Sequence, residues 1–430
     1  MGGCASPSLT PAPSPGPPTP PVPTASASAE PNPSAATTRG PRPTPVPVTP
    51  SLSPSPSPIA PAPTPTPTGT PTEIDPRVQA ALATLDSDTA VADQLLMLGW
   101  HGTTPDSVVA TLTTLRPGGI VFIGSNANTA AEAGAINARI ASEAGQLSLL
   151  TPFISIDQEG GRIQRIDDVP NLGSNMAFGM TDPTDQEACQ RGAAQAAELQ
   201  SMGFNMNLAP DVDVLTNPKN TVIGDRAYGS DPALVARLGA AYTLGLQGGG
   251  IAGVAKHFPG HGSTSVDSHL GLPVVPYGLA RLDRVELVPF VRLTQPDVSV
   301  AAVMVGHLAM TKLDPSGAPA SLSGPVVQGL LRDHVGFHGL VMTDDLGEMA
   351  AITSNYTPAD AAVMAISAGV DMLLISGDVA HQLAYRDAIV QGLASGALSR
   401  VRVLDAVTHV LEAKAHFGLL GGPGAPAHPC

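Results

Sequence analysis

The chain has 430 residues, 43% hydrophobic and 13% charged, with a formal net charge of −15. So acidic a chain argues against nucleic acid as a partner, and it holds no run of 18 apolar residues that could span a membrane. Three cysteines (Cys4, Cys189 and Cys430) give no disulfide framework, and Cys430 reads as incidental.

Of the 45 prolines, 25 precede Gln79. Residues 5–74 are almost wholly Pro, Thr, Ser, Ala and Val, and up to residue 72 only Glu30, Arg39 and Arg42 are charged. That segment contributes +1, so the remainder carries about −16. Such a composition buries too little apolar surface to offset the entropy of ordering, which predicts a disordered tether with polyproline-like stiffness. Cys4 follows Gly2-Gly3 and precedes Ala5-Ser6. This is similar to the end of a bacterial lipoprotein signal, where the Cys after small residues takes the lipid, although the apolar segment that should come first is missing. Residues 1–4 are therefore read as a signal remnant. A lipid on Cys4 is the one membrane contact expected, placing the protein in the cell envelope on the outer face of the cytoplasmic membrane.

From residue 75 onward, short apolar runs alternate with amphipathic segments. The runs fall at 95–100, 119–124, 153–157, 206–211, 251–257, 298–307, 339–344 and 371–376. Helical patterns fill 129–145, 186–202, 232–247, 323–335, 359–368, 380–394 and 400–417. Continuous apolar strands alternating with helices imply a parallel sheet covered on both faces. Eight such units over 75–420 fit a single (β/α)8 barrel of the TIM type, an α/β fold. A doubly wound open sheet is the second choice, and 421–430 reads as a flexible tail.

Polar groups recur at the strand ends: Asp157, then Asp211 and Asp213, Lys256 and His257, His307, and Asp344 and Asp345. Random surface charge would not keep that phase over five strands. A barrel places its chemistry at the carboxyl ends of its strands.

The densest of these motifs is Lys256-His257-Phe258-Pro259-Gly260-His261-Gly262, with Asp267-Ser268-His269 close behind. Pro259, Gly260 and Gly262 forbid a regular helix, so this is a shaped loop of proton-transfer groups. His257, His261 and His269 raise the question of zinc, but His-x3-His needs a helix to align both rings, and no metal is expected. Gly248-Gly249-Gly250-Ile251-Ala252-Gly253 spells a dinucleotide fingerprint in the wrong context, after a helix and before a strand. Asp157 with Arg162 and Arg165 suits sugar hydroxyls, which need paired donors and acceptors; the competing reading is a structural ion pair in the loop. Arg226 sits in a long irregular loop, 220–229, within reach of the strand ends. Adjacent strand residues point in opposite directions. One of Asp344 and Asp345 therefore faces the pocket, taken as Asp344, while the other braces the wall or caps the next helix.

Together these motifs resemble glycoside hydrolase family 3, in its β-N-acetylglucosaminidase (β-hexosaminidase) branch. The pieces are Asp157 to Arg162, Ile223 to Arg226, Lys256 to Gly262, Asp267 to His269, and Thr343 to Leu346, and the match covers roughly residues 80–420. The resemblance implies that Asp344 is the nucleophile and His269 the general acid/base, oriented by Asp267. It also implies that Asp157, Arg165, Arg226, Lys256 and His257 hold the terminal sugar. Retaining hydrolysis needs a nucleophilic carboxylate and a proton donor, and an imidazole paired with a carboxylate exchanges protons near neutral pH. Gly262, Ser263, Thr264 and Ser265 would let the acid/base loop swing. Many members carry Asp where this chain has Ser263, and the second α/β domain of longer members is not expected.

The function expected is removal of non-reducing terminal GlcNAc from peptidoglycan fragments or chitooligosaccharides by a monomer that needs no cofactor. A phosphorylase is a close alternative, since an imidazole acid/base does not repel phosphate. A β-glucosidase of the same family and a non-catalytic sugar-binding lipoprotein complete the set.

Overall fold

A computed structural model describes residues 74–124, 126–424 and Cys430. The tether up to residue 73 and the Cys4 lipid site lie outside the described residues. Each apolar run gives a strand: β1 Leu96–Gly99, β2 Gly119–Phe122, β3 Phe153–Ile156, β4 Met206–Asn207, β5 Ala252–Phe258, β6 Ala302–Val305, β7 Leu340–Thr343 and β8 Leu373–Ile375. All are parallel, in the order β7-β6-β5-β4-β3-β2-β1-β8. Every strand residue is buried, as expected when both faces of a sheet are covered.

Consecutive strands are neighbours, so the sheet curls until β7 meets β8. That seam is thin. Met342 bridges Met372, the Thr343 N–H donates to the Met372 carbonyl at 3.0 Å, and the Leu374 N–H donates to Thr343 Oγ1 at 3.0 Å. The result is the expected eight-stranded barrel.

Helices Ala130–Gln146, Asp185–Ser201, Pro232–Gly248, Pro358–Ala368, Val379–Ser395 and Arg400–His416 surround it. Thr129 with Glu132, and Thr184 with Glu187, form capping boxes that fix two helix starts. The segment predicted as an ordinary helix at 323–335 is instead a π-helix, Pro325–His334. Its Val335 N–H reaches five residues back to the Leu330 carbonyl at 2.9 Å.

At the amino ends of the strands, polar groups stitch the barrel floor. The buried Asp371 carboxylate takes Arg332 and Arg402, each at 2.5 Å, with His409 Nδ1 at 3.1 Å and the Val341 N–H at 2.9 Å. Lys414 is fully buried there, its Nζ donating to Gln94 Oε1 at 2.9 Å and standing 5.9 Å above the Phe153 ring.

The cysteine expectation is corrected. Cys189 and Cys430 form a disulfide, with Cα atoms 5.6 Å apart. A pair separated by 241 residues leaves no local spacing to read. The segment read as a flexible tail is held at further points, since Arg77 donates to the Gly421 and Pro423 carbonyls, both at 3.3 Å. No described helix is long and apolar enough to cross a membrane.

Candidate active site

A cavity of about 280 Å³ opens at the carboxyl ends of the strands, just below the usual range for small-molecule sites. Asp157, Arg165, Arg226, Lys256, His257, His269 and Asp344 all line it. Of the residues that the family resemblance assigns to catalysis or sugar binding, Asp267 alone is not in the lining; it stands behind His269.

Its charged wall is built from β3, β5 and the loop after β4. Lys256 Nζ bridges Asp157 Oδ1 at 2.5 Å and Glu159 Oε1 at 2.7 Å. Arg226 holds Glu159 through two bonds, Nε to Oε2 at 2.9 Å and Nη2 to Oε1 at 2.8 Å. Burial alone would raise the Glu159 pKa, but the Arg226 and Lys256 charges outweigh it and hold it well below the usual carboxylate range. Arg165 Nη2 lies 3.9 Å from Asp157 Oδ2 at the mouth. Arg162 does something else. It pairs with Asp225 at 2.9 Å and donates to the carbonyls of Thr221, Val222 and Ile223. For Arg162 the structural reading is therefore correct: it pins the long loop that delivers Arg226.

The β5–β6 register slips between Ala255 and Phe258. A bulge re-aims side chains, and Lys256 and His257, adjacent in sequence, both reach the cavity. Beneath them, His257 Nδ1 donates to Asp213 Oδ2 at 2.8 Å, and its Nε2 faces Arg226 Nη2 at 3.3 Å. The other Asp213 oxygen takes the His261 N–H at 2.5 Å. Burial opposes the Asp213 charge, yet the His257 bond lowers its pKa. Asp211 goes the other way, pushed up to about 7 by burial and by the charge of Asp213. Ligand atoms of Asp211, Asp213 and His257 lie within 4.8 Å of one another. That set is already cross-bonded, and Arg226 Nε lies 3.5 Å from Asp211 Oδ2.

The loop after β5 carries the dyad. His269 Nδ1 donates to Asp267 Oδ1 at 2.9 Å, and the same oxygen takes the His269 backbone N–H at 2.9 Å. His269 is 67% exposed, so the dyad stands at the cavity mouth. The expected hinge is less free than its small residues suggest. Thr264 is buried and bonds His261 Nδ1 at 2.7 Å. A Cβ at Gly262 would meet the Val214 carbonyl oxygen at 2.1 Å. Gly262 is thus needed for close packing, and exposure begins at Ser265.

After β7 the two adjacent carboxylates divide their roles. Both touch the cavity, but the Asp345 carboxylate is bound up, accepting from the Ser376 N–H (2.9 Å), the Gly347 N–H (2.8 Å) and the Ser376 hydroxyl. Asp344 Oδ1 accepts one bond, from the Asp345 N–H at 2.9 Å. Desolvation pulls the Asp344 pKa upward, but His257, His307, that N–H and His269 win and hold it at about 2. It is an ionised carboxylate at neutral pH.

Glu159 and His261, both part of this geometry, and Ser268 and Glu348, which also line the cavity, were not among the expected site residues. Glu159 is two residues beyond Asp157 in the loop after β3, and a second carboxylate so close to the first is the signal that could have found it. His261 and Ser268 belong to an irregular loop with no period to read.

Comparison with known proteins places the chain. The model of the glycosyl hydrolase family 3 N-terminal domain matches residues 89–413. The chain belongs to glycosyl hydrolase family 3. Among family relatives, β-hexosaminidase LpqI of Mycobacterium tuberculosis is 38% identical over 296 residues, 65% of this chain and 71% of that protein. β-Hexosaminidase A of Pseudoalteromonas piscicida is 35% identical over 62% of this chain, which spans only 48% of that longer relative. Among solved structures, the family 3 β-N-acetylglucosaminidase of Paenibacillus sp. str. FPU-7 superposes with a TM-score of 0.74 at 37% identity, covering 78% of this chain and 63% of that one. The M. tuberculosis LpqI structure gives 0.71 at 33% identity, over 79% and 97%. The chain is thus a family 3 glycoside hydrolase whose relatives are β-hexosaminidases, with the family's barrel intact.

Proposed function

We propose that this chain is an exo-acting β-N-acetylglucosaminidase that works with retention of configuration. The observation that carries the mechanism is the pairing, in one cavity, of an ionised Asp344 having one unbonded oxygen with an exposed His269–Asp267 dyad at the mouth. Asp344 attacks the anomeric carbon as His269 gives its proton to the leaving oxygen. Water, deprotonated by His269, then releases the sugar. Lys256, Arg226, Asp157, Arg165 and His257 hold the hydroxyls of the terminal sugar, and the small volume of the cavity favours cleavage at a chain end.

The N-acetyl preference rests on the named relatives, among them a Paenibacillus β-N-acetylglucosaminidase. Peptidoglycan fragments are the proposed substrate, and the cell envelope the proposed location. The Pro/Thr/Ser-rich tether supports that location, and so does the disulfide, a bond of oxidising compartments. A lipid on Cys4 belongs to the same reading.

The test is release of 4-nitrophenol from its β-N-acetylglucosaminide and its β-glucoside, with and without phosphate. Release from the N-acetyl substrate, indifferent to phosphate, is expected. Activity only on the glucoside would refute the substrate. Strong phosphate stimulation with sugar 1-phosphate as product would replace hydrolysis by phosphorolysis. The imidazole acid/base favours that second reading, while the Glu348 carboxylate in the cavity lining works against an incoming anion.

A further inference from the structure

His307 is a buried imidazole at the strand ends that the mechanism above does not use. His307 follows β6 and is fully buried, as is Ser321 in the short turn Ala320–Leu322. His307 Nε2 lies 3.0 Å from the Asp345 carbonyl oxygen, and its Nδ1 lies 2.8 Å from Ser321 Oγ. A carbonyl only accepts, so Nε2 must carry the hydrogen. Desolvation lowers the His307 pKa and favours the neutral ring. Nδ1 is then a lone pair that accepts from the Ser321 hydroxyl. Both partners together leave one tautomer.

The residue that His307 grips is the neighbour of the nucleophile. The Asp345 N–H donates to Asp344 Oδ1 at 2.9 Å. Its carboxylate is bound by the backbone N–H groups of Gly347 and Ser376 and by the Ser376 hydroxyl. Every polar atom of Asp345 is therefore spoken for, from β6, β8 and its own turn. A Cβ on Gly347 would sit 2.3 Å from the Ser376 carbonyl oxygen, so the turn tolerates no bulk there. This clamp lies at the β7–β8 seam, where one bridge replaces a regular ladder. The backbone on either side is held by the Asp344 N–H on the Val305 carbonyl at 3.0 Å and the Leu346 N–H on the Leu374 carbonyl at 2.9 Å, and the Asp345 carbonyl between them is held by His307.

We propose that His307, locked by Ser321, is a positioning residue for the nucleophile. By holding the Asp345 carbonyl it anchors the Asp345–Leu346 peptide, and through the Asp345 backbone it steadies the preceding N–H that restrains Asp344 Oδ1, leaving the unbonded Oδ2 for the anomeric carbon. The proposal rests on Asp344 acting as nucleophile. Without the imidazole, the Asp345 backbone loses one anchor, its N–H can drift from Oδ1, and the carboxylate loses its single orientation. Misplacement on this scale is enough to slow a displacement strongly.

The experiment compares His307→Leu, His307→Gln and Ser321→Ala in the full chain, by crystal structure and by kinetics on the chromogenic N-acetyl substrate. Gln can place an amide N–H near the position of Nε2; Leu cannot. Expected for His307→Leu are a kcat about 100-fold lower with KM within threefold, and an acid limb of kcat/KM moved to higher pH as Asp344 loses a donor. His307→Gln is expected to recover at least tenfold of the kcat and to restore the acid limb. Ser321→Ala is expected to fall between the two. A loss of folded protein alone would lower kcat in proportion to thermal stability and leave the pH limb still, with no difference between Gln and Leu at equal stability. In the crystal, Asp344 should be rotated or split in His307→Leu and single in His307→Gln. An unmoved Asp344 in His307→Leu overturns the proposal. A wild-type chain silent on the substrate would sink the activity reading instead, and the crystal structures would still decide this one.

Discussion

Asp344 and Asp345 share a strand end, yet desolvation and hydrogen bonding drive their pKa values apart. Desolvation raises Asp345, and its bonds to Ser376 and Gly347 do not fully offset it; for Asp344 the imidazoles around the cavity and the Asp345 N–H prevail. Alternation along a strand predicts that one of them faces the cavity; both touch it, and what separates them is that the Asp345 carboxylate is saturated while Asp344 accepts one bond. Which donors each would meet depends on β6 and β8, and no local pattern in the sequence encodes that. Asp344→Ala should abolish most turnover with the fold intact, and His269→Ala should cost about 10²–10⁴-fold in kcat, both read from initial rates beside a circular dichroism spectrum. Asp211 and Asp213 offer a sharper contrast. Asp211, already pushed up to about 7, loses little on conversion to Asn, because Asn keeps the oxygen that accepts from the Asp213 N–H. Asp213 accepts at both oxygens, so Asn there confronts one donor with another. Asp211→Asn should therefore stay within about threefold of wild-type kcat/KM, while Asp213→Asn loses about 10- to 100-fold, the cost of one unmatched buried donor.

The elements were the most legible level. Seven of the eight strands lie inside their apolar runs and β5 overruns its own by one residue, Phe258, because strands buried on both faces are mostly apolar. The π-helix at Pro325–His334 was not legible: its apolar spacing also suits an ordinary helix, and the five-residue bonds are visible only in the backbone. Buried polar groups inside helices were missed for a similar reason. Lys414 lies on the inward stripe of Arg400–His416, where sequence alone suggests a solvated charge. Burial pulls its pKa down to about 7, against about 10.4 in the unfolded chain. Between those values the unfolded state binds more protons, so this group makes stability rise as pH climbs from 7 towards 10, and below 7 its full cost is present. Lys414→Met, of similar volume, should stabilise the fold by about 1–3 kcal/mol at pH 6. The gain should vanish near pH 10, where the neutral amine still donates to Gln94. Urea unfolding at the two pH values checks this, and a difference independent of pH would reject it.

At the scale of the whole molecule, the barrel order and the convergence of charge at one end of the strands could be read from 430 letters. The Cys189–Cys430 bond could not, since it joins segments that only the finished fold brings together. Reduction, or Cys189→Ser, should lower stability by about 2–4 kcal/mol while leaving kcat unchanged, because neither cysteine lines the cavity. Thermal melts with and without a thiol reductant, paired with activity assays, measure both halves of that statement. The central claim is that Asp344 is the attacking group of a retaining β-N-acetylglucosaminidase. Its most direct test is the initial rate of 4-nitrophenol release from the β-N-acetylglucosaminide by wild type and by Asp344→Ala at equal folded concentration. Rapid release by wild type and a rate at least about 10³-fold lower in the variant is predicted; near-wild-type release by Asp344→Ala would contradict it.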